Sequence, residues 1–132
     1  MNKRSDLFID TNVIINIDKG HQALISFLDG YFPRVHTSYI SQIEALAWPD
    51  NTEEGLKKLN HFFTHKVTVN PHDEFIQENT IELMRKYKLK LPDAVVAATV
   101  ILYQFPLLTS DTGFKKINCA GFELILYDAP VW

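Results

Sequence analysis

Short, mostly apolar runs alternate with longer segments of helical periodicity along the whole chain. The short runs lie at residues 7–10, 34–38, 66–69, 106–110 and 122–126. Continuous apolar runs are typical of strands that are covered on both faces. They therefore predict a buried parallel sheet rather than a half-exposed antiparallel one.

The intervening segments have the periodicity and the end signals of α-helices. Residues 21–32 place apolar side chains at positions 23, 24, 27, 28 and 31, which form one stripe on a helix. Ser38 is a candidate N-cap, Gly20 a candidate C-terminal stop and Pro92 a typical first-turn residue. The predicted helices cover residues 12–20, 21–32, 38–48, 52–65, 72–87, 91–105 and, as a short turn, 112–117. This order predicts an α/β domain with helices on both faces of its sheet.

The composition fits one ordinary domain over residues 1–132, of which 46% are hydrophobic. The single cysteine, Cys119, excludes an intrachain disulfide and a cysteine zinc site. Together with the lack of a signal peptide, this predicts a reducing, cytoplasmic setting. The longest apolar run, residues 94–108, is interrupted by Pro106 and falls short of the ~20 residues of a membrane span. The formal net charge of −3 neither favours nor excludes a nucleic-acid partner.

Three carboxylates stand at the ends of predicted elements. Asp10 and Asp111 each follow a predicted strand, and Asp93 lies in the first turn of a predicted helix. Each of them can be explained singly as a helix cap or as a charge that complements the helix dipole. In an open parallel sheet, however, ligands bind beyond the carboxyl ends of the strands. Asp10 and Asp111 are therefore also expected to cooperate at one edge of the sheet.

Glu44 interrupts an apolar stretch of a predicted helix. The helix places Ile40, Ile43, Ala47 and Trp48 on one face, and Glu44 lies within that stripe. A buried charge without compensation is costly. The pattern therefore predicts a cation beside Glu44 or a position at the edge of a cleft; the alternative is a glutamate that simply reaches solvent.

Four converging carboxylates would repel one another, and some would keep their protons at neutral pH. A hard divalent cation such as Mg²⁺ or Mn²⁺ turns this repulsion into coordination by oxygen ligands. Such a site activates water and neutralises the charge that develops on a phosphodiester. The four acids together therefore point to cleavage of a nucleic-acid backbone.

Four segments carry a resemblance to a known family: FIDTNVII, SQIEALAW, KLPDAVVAATV and LLTSDTGF. In this order they resemble the four acidic motifs of the PIN-domain ribonucleases, and more closely those of the VapC-type toxins of bacterial toxin–antitoxin pairs. The C-terminal segment YDAP is also similar to the end of such toxins. The resemblance covers nearly the whole chain, and LPDAVVAAT is its most specific part.

The resemblance implies both a site and a fold. The acids that would hold the metal and carry the catalysis are Asp10, Glu44, Asp93 and, as the fourth, Asp111, a position at which many relatives have asparagine. The polar neighbours with implied supporting roles are Asn12, Thr109 and Ser110. The resemblance further implies a three-layer α/β/α sandwich, a Mg²⁺- or Mn²⁺-dependent endoribonuclease, a homodimer, and inhibition by a small VapB-like antitoxin protein.

Two basic clusters lie next to the acidic motifs in the sequence. Solvated surface is the ordinary interpretation of such clusters, and contact with RNA phosphates beside the cut is the alternative. The lysines concerned are Lys88, Lys90, Lys115 and Lys116. His61 and His65 have a helical spacing that can bind zinc, but no third ligand accompanies them, so a solvated helix face is favoured.

Other functions fit the sequence less well. A haloacid-dehalogenase phosphatase needs a second aspartate two residues after Asp10, where this chain has Asn12. A receiver domain needs an N-terminal acidic pair and a lysine after a late strand, which TSD does not supply. A PIN-like module that binds RNA or a partner without cutting, and an RNA-processing nuclease outside any toxin pair, stay open. A short antitoxin-like reading frame next to the gene would favour the toxin.

Overall fold

The computed structural model describes residues 6–129. Its strands are β1 (Leu7–Ile9), β2 (Val35–Ser38), β3 (Thr68–Asn70), β4 (Leu107–Thr109) and β5 (Leu124–Leu126). Its α-helices are α1 (Thr11–Asp18), α2 (Gln22–Asp29), α3 (Tyr39–Leu46), α4 (Glu53–His65), α5 (Glu74–Tyr87) and α6 (Leu91–Tyr103). A 3₁₀ helix follows β4 at Thr112–Lys116. Every predicted helix and strand is confirmed, with small shifts at the ends.

The five strands form one parallel sheet in the order β3-β2-β1-β4-β5. The chain builds outwards from β1 to β3, then crosses to the other side of β1 to add β4 and β5. The order of the strands therefore reverses between β1 and β4. In sheets of this kind, the crevice beyond the carboxyl ends of these two strands is the usual place for a ligand.

Alternation along β1 gives the sheet two apolar faces. Leu7 and Ile9 pack with α1, α2 and α4, whereas Phe8 packs with α5 and α6, and all three side chains are fully buried. The result is the predicted three-layer α/β/α sandwich. Within residues 6–129, no helix is long and apolar enough to cross a lipid bilayer.

Helix α3 differs from the prediction made for its faces. Its buried residues are the small Ser41 and Ala45, while Ile43 and Trp48 are 55% and 47% exposed. Of the expected apolar stripe, Ile43, Ala47 and Trp48 are therefore exposed, and Ile40 alone packs, partly buried, against the core. Small side chains fill the inner face because α3 packs against both α1 and α6, which leaves little space between the helices.

Candidate acidic active site

The four predicted acids line one cleft at the carboxyl edge of the sheet. The cleft has a volume of about 440 Å³, and it is lined by Asp10, Glu44, Asp93 and Asp111 together with neighbouring polar and apolar residues. Asp10 follows β1 and Asp111 follows β4. Asp93 lies in the first turn of α6 and Glu44 in the last turn of α3. The structure thus brings together residues that are far apart in the sequence.

Asp10 is the most deeply buried acid of the cleft, with 6% of its surface exposed. It is the N-cap of α1, since its Oδ1 accepts a hydrogen bond from the backbone N–H of Thr11 at 2.8 Å. Its Oδ2 accepts from the hydroxyl of Thr109 at 2.9 Å and from Nδ2 of Asn12 at 3.2 Å. Capping and membership of the site are therefore compatible roles of the same carboxylate.

Asn12, Thr109 and Ser110 form the polar support behind Asp10. The fully buried hydroxyl of Thr109 accepts hydrogen bonds from Nδ2 of Asn12 at 2.9 Å and from the backbone N–H of Asp111 at 3.0 Å. Oδ1 of Asn12 accepts from the backbone N–H of Ser110 at 3.0 Å. These contacts tie α1 to the end of β4, so the two strands that carry the acids are joined through side chains.

Glu44 lies at the exposed edge of the cleft rather than within a buried stripe. Its Oε1 accepts a hydrogen bond of 2.6 Å from the hydroxyl of Thr11. Glu44 is exposed, so two of the positions that the sequence left open, the edge of a cleft and a side chain that reaches solvent, both describe it. Most of the apolar stripe around Glu44 is exposed as well, because the fully buried positions of α3 are the small Ser41 and Ala45.

Asp93 and Asp111 complete the acidic lining. Asp93 lies in the first turn of α6, and Asp111 is the N-cap of the 3₁₀ helix, where its Oδ1 accepts from the backbone N–H of Gly113 at 2.8 Å. Partial burial, with repulsion by Asp111 and Glu44, raises the pKa of Asp93 to about 6, although the charges of Lys90 and Lys116 act in the opposite direction.

The pKa of Asp10 is also raised to about 6. Burial is the main cause, and repulsion by Asp93 and Glu44 adds to it, while the hydrogen bonds from Thr11 and Thr109 oppose the shift. In the protein without a cation, the cleft therefore holds an excess of negative charge. A positive ion would relieve that excess.

The donor set fits a hard divalent cation such as Mg²⁺. All candidate donors are oxygen atoms, and Mg²⁺ commonly uses one or two carboxylates and keeps several water ligands. Among residues 6–129, no three His, Cys, Asp or Glu side chains are arranged so that they hold an ion together. A cation would therefore be held by two carboxylates together with water molecules. Asp10 and Asp93 are the candidates, because their pKa values are the ones that the cleft raises.

The basic residues predicted from the sequence divide into two groups. All four lysines are exposed. The charges of Lys90, directly before α6, and Lys116, at the end of the 3₁₀ helix, reach Asp93 and lower its pKa. Lys88 ends α5 in a left-handed conformation, and Lys115 precedes Lys116 on the 3₁₀ helix.

Several residues in or beside the cleft were not predicted from the sequence, among them Trp48, Asn16 and Tyr127. Trp48 lines the cleft from the loop after α3. Asn16, one turn after Asn12 on α1, donates from Nδ2 to the hydroxyl of Tyr127 at 2.9 Å. Tyr127 belongs to the YDAP segment, whose Pro130 lies outside the described residues. Burial raises the pKa of Tyr127. The helical spacing of Asn12 and Asn16 was the available signal.

Comparison with known proteins places the chain in a family. The family model described as PIN domain matches residues 7–118. No curated protein sequence gives a significant match. A chain of a toxin–antitoxin complex from Klebsiella pneumoniae has the same fold, with 24% identity and a TM-score of 0.77 over 93% of this chain and 99% of that one.

Two further solved structures share the fold. A chain of VapBC2 from Rickettsia felis, bound to a DNA fragment from its promoter, has 17% identity and a TM-score of 0.78 over 92% of this chain and 98% of that one. A chain of DNA-bound VapBC from Salmonella typhimurium has 18% identity and a TM-score of 0.77 with the same coverage. With the family model matching most of its length, this chain belongs to the PIN-domain family.

Proposed function

We propose that this protein is a metal-dependent endoribonuclease and the toxin of a VapBC-type toxin–antitoxin pair. The observation that carries the proposal is the cleft itself, in which four carboxylates from distant parts of the chain meet at the reversal of strand order. Family membership supports the same activity. Within residues 6–129, the lining of the cleft contains no cysteine, and no histidine that could activate its one serine, Ser110, which favours hydrolysis by an activated water.

In the proposed site, Asp10 and Asp93 hold a Mg²⁺ or Mn²⁺ ion, with Glu44 and Asp111 completing the acidic environment. A bound ion of this kind supplies an activated water and stabilises the negative charge of the phosphodiester in the transition state. Asn12, Thr109 and the N–H of Thr11 orient Asp10 through hydrogen bonds. Lys90 and Lys116 attract phosphates of the RNA to the same cleft.

The test of the activity is cleavage of a mixed cellular RNA pool by the purified protein with Mg²⁺ or Mn²⁺, beside Asp93→Asn. Discrete cuts that disappear in excess EDTA and in the variant are expected. Asp29→Asn is the matched control, because Asp29 is an exposed acid at the end of α2. Equal cutting in EDTA, or equal cutting by the folded Asp93→Asn variant, would contradict the metal-dependent mechanism.

The toxin assignment adds a protein partner to the proposal. The structures with the same fold are named as toxin–antitoxin and VapBC complexes, which supports an antitoxin for this chain as well. Large apolar side chains that remain exposed give a partner or a second copy a surface to cover, and they include Ile43, Trp48, Phe75, Leu102 and Tyr103. We further propose that the protein is a cytoplasmic homodimer and that it binds an antitoxin.

The toxin assignment has its own experiment. Induced synthesis of the protein should arrest growth, and coexpression of a short reading frame beside its gene should relieve the arrest. Asp93→Asn should be harmless at the same level of synthesis. A protein that cuts RNA in vitro but causes no arrest would instead be an RNA-processing nuclease outside a toxin pair.

A further inference from the structure

A tyrosine from the C-terminal segment reaches the polar support of the acidic site. Tyr127 follows β5, and its hydroxyl donates to Oδ1 of Asn12 at 2.9 Å. The same hydroxyl accepts from Nδ2 of Asn16 at 2.9 Å. Asn16 is 6% exposed, while Asn12 and Tyr127 are partly buried. Tyr127 lies beyond residue 118, at which the match to the family model ends.

The contacts of Asn12 show what this hydroxyl does. At one end of the amide, Oδ1 accepts from Tyr127 and from the backbone N–H of Ser110. At the other end, Nδ2 donates to Oδ2 of Asp10 and to the hydroxyl of Thr109. An amide that turned over would set its N–H donors against the backbone N–H of Ser110 and its oxygen against the carboxylate of Asp10. The hydroxyl therefore helps to fix which end of the amide faces Asp10.

We propose that Tyr127 and Asn16 are positioning residues, which hold the amide of Asn12 and through it the carboxylate of Asp10 in the orientation that binds a divalent cation. The proposal rests on the metal-dependent function proposed above. Groups that hydrogen-bond to metal ligands typically change metal affinity or activity 10- to 100-fold when they are removed. Tyr127 acts one step further out, through Asn12, so an effect near the lower limit is expected.

The first test compares Tyr127→Phe with wild type in Mn²⁺ binding, measured directly on the folded protein. We expect the dissociation constant for Mn²⁺ to rise by roughly tenfold. In RNA cleavage at subsaturating metal, kcat should fall while KM for RNA stays near its wild-type value. Tyr87→Phe is the matched control, because the hydroxyl of Tyr87 also donates a hydrogen bond, to the carbonyl of Asn118 at 2.9 Å, but lies outside the lining of the acidic cleft. It should leave both quantities unchanged.

A double-mutant cycle shows whether Tyr127 acts through Asn12. Asn12→Ala, Tyr127→Phe and the double variant are compared for their Mn²⁺ dissociation constants. If the hydroxyl acts through the amide, the double variant should bind no more weakly than Asn12→Ala alone. Multiplied effects of the two single changes would overturn the proposed route.

Two further measurements separate positioning from a general loss of stability. Urea unfolding of each variant without metal shows whether it folds, and Asn16→Ala provides a second variant that keeps the tyrosine and should weaken Mn²⁺ binding in the same direction. Wild-type Mn²⁺ affinity in folded Tyr127→Phe and Asn16→Ala would overturn the inference while leaving the nuclease proposal intact. A wild type that binds no Mn²⁺ would overturn both.

Discussion

Single residues of the cleft have a place both in the fold and in the proposed chemistry. Asp10 caps α1 and Asp111 caps the 3₁₀ helix, yet both carboxylates also line the cleft. A cap uses one oxygen to accept a backbone hydrogen bond, which leaves lone pairs of the carboxylate free for another partner. The sequence presents a helix cap and an acid of the site as alternatives, but one carboxylate can be both.

Neutralising Asp93 should stabilise the protein when no metal is bound. The pKa of Asp93 is raised to about 6 in the folded protein, so the folded state favours the protonated carboxyl. The contribution of Asp93 to stability is therefore fully present below pH ~4 and is lost as the pH rises through about 6. Asp93→Asn should therefore raise the free energy of unfolding in EDTA by about 1 kcal/mol at pH 7.5, after allowance for the water that reaches this half-buried group. At pH 4 the variant should have no advantage.

Urea unfolding at the two pH values measures this difference, with Asp29→Asn as the exposed control. Addition of Mn²⁺ at pH 7.5 should then reverse the order, because an ion that binds the folded state stabilises the wild type more than the variant. Equal free energies of unfolding for the wild type and the variant at both pH values would show that the fold does not raise the pKa of Asp93.

Thr109 should be the most sensitive of the buried threonines. Its hydroxyl donates to Asp10 and accepts from both Asn12 and the backbone N–H of Asp111, so Thr109→Val leaves these groups without their partner. We expect a loss of about 2–3 kcal/mol in the free energy of unfolding, which guanidinium unfolding would detect.

Thr99→Val is the matched control for this change. Thr99 is also buried, but its hydroxyl donates only to the carbonyl of Val95 in its own helix. A loss below about 1 kcal/mol is expected there. If Thr99→Val were as damaging as Thr109→Val, the hydrogen bonds at the site would not be the cause.

At the scale of elements, the sequence predicts the order and the approximate ends of the strands and helices. Apolar runs and end signals identify the strands and helices, and residues such as Ser38 and Gly20 mark their ends because capping is a local effect. The faces of α3 were not predictable in the same way. Which side of a helix is buried depends on what packs against it, and close neighbours on two sides favour Ser41 and Ala45 over larger residues.

Substitutions in and next to α3 test how this helix is packed and capped. Ser41 is fully buried, and its hydroxyl has no hydrogen-bond partner within the described residues 6–129. Ser41→Ala should therefore raise the free energy of unfolding by roughly 0.5–1 kcal/mol, because a desolvated hydroxyl is removed without loss of a hydrogen bond. Ser38→Ala should lower it by about 1 kcal/mol, since Ser38 caps the same helix through the N–H of Ile40. Thermal unfolding of the two variants should give midpoint shifts of opposite sign, and a loss in both would mean that Ser41 has a partner.

At the scale of the whole molecule, topology assembles the site. The reversal of strand order between β1 and β4 brings Asp10 beside Thr109 and Asp111 although about a hundred positions separate them. The acids were predictable because the edge of a parallel sheet is a known location for ligands. Tyr127 was not, because its role depends on where the segment after β5 returns to α1.

Apolar side chains and positive charges both act at the cleft. Trp48 and Ile15 belong to its lining, whereas Lys90 and Lys116 act on Asp93 through their charge. If RNA is the substrate, its phosphates should be drawn to the lysines, while the acids with their cation act on the phosphate that is cut. The cleft therefore predicts separate effects on RNA binding and on chemistry.

Lys90→Ala and Lys116→Ala should each raise KM for RNA several-fold and leave kcat nearly unchanged. Each lost phosphate contact should also reduce the slope of log affinity against log salt concentration by about 0.7, the value for a single strand. Because the same charges lower the pKa of Asp93, the measurements belong at saturating metal, where a change in metal affinity does not enter. Lys57→Ala is the control, since Lys57 lies on α4 at a different groove between α4 and α1. A fall in kcat with an unchanged salt slope would mean that the two lysines act on the acids rather than on the RNA.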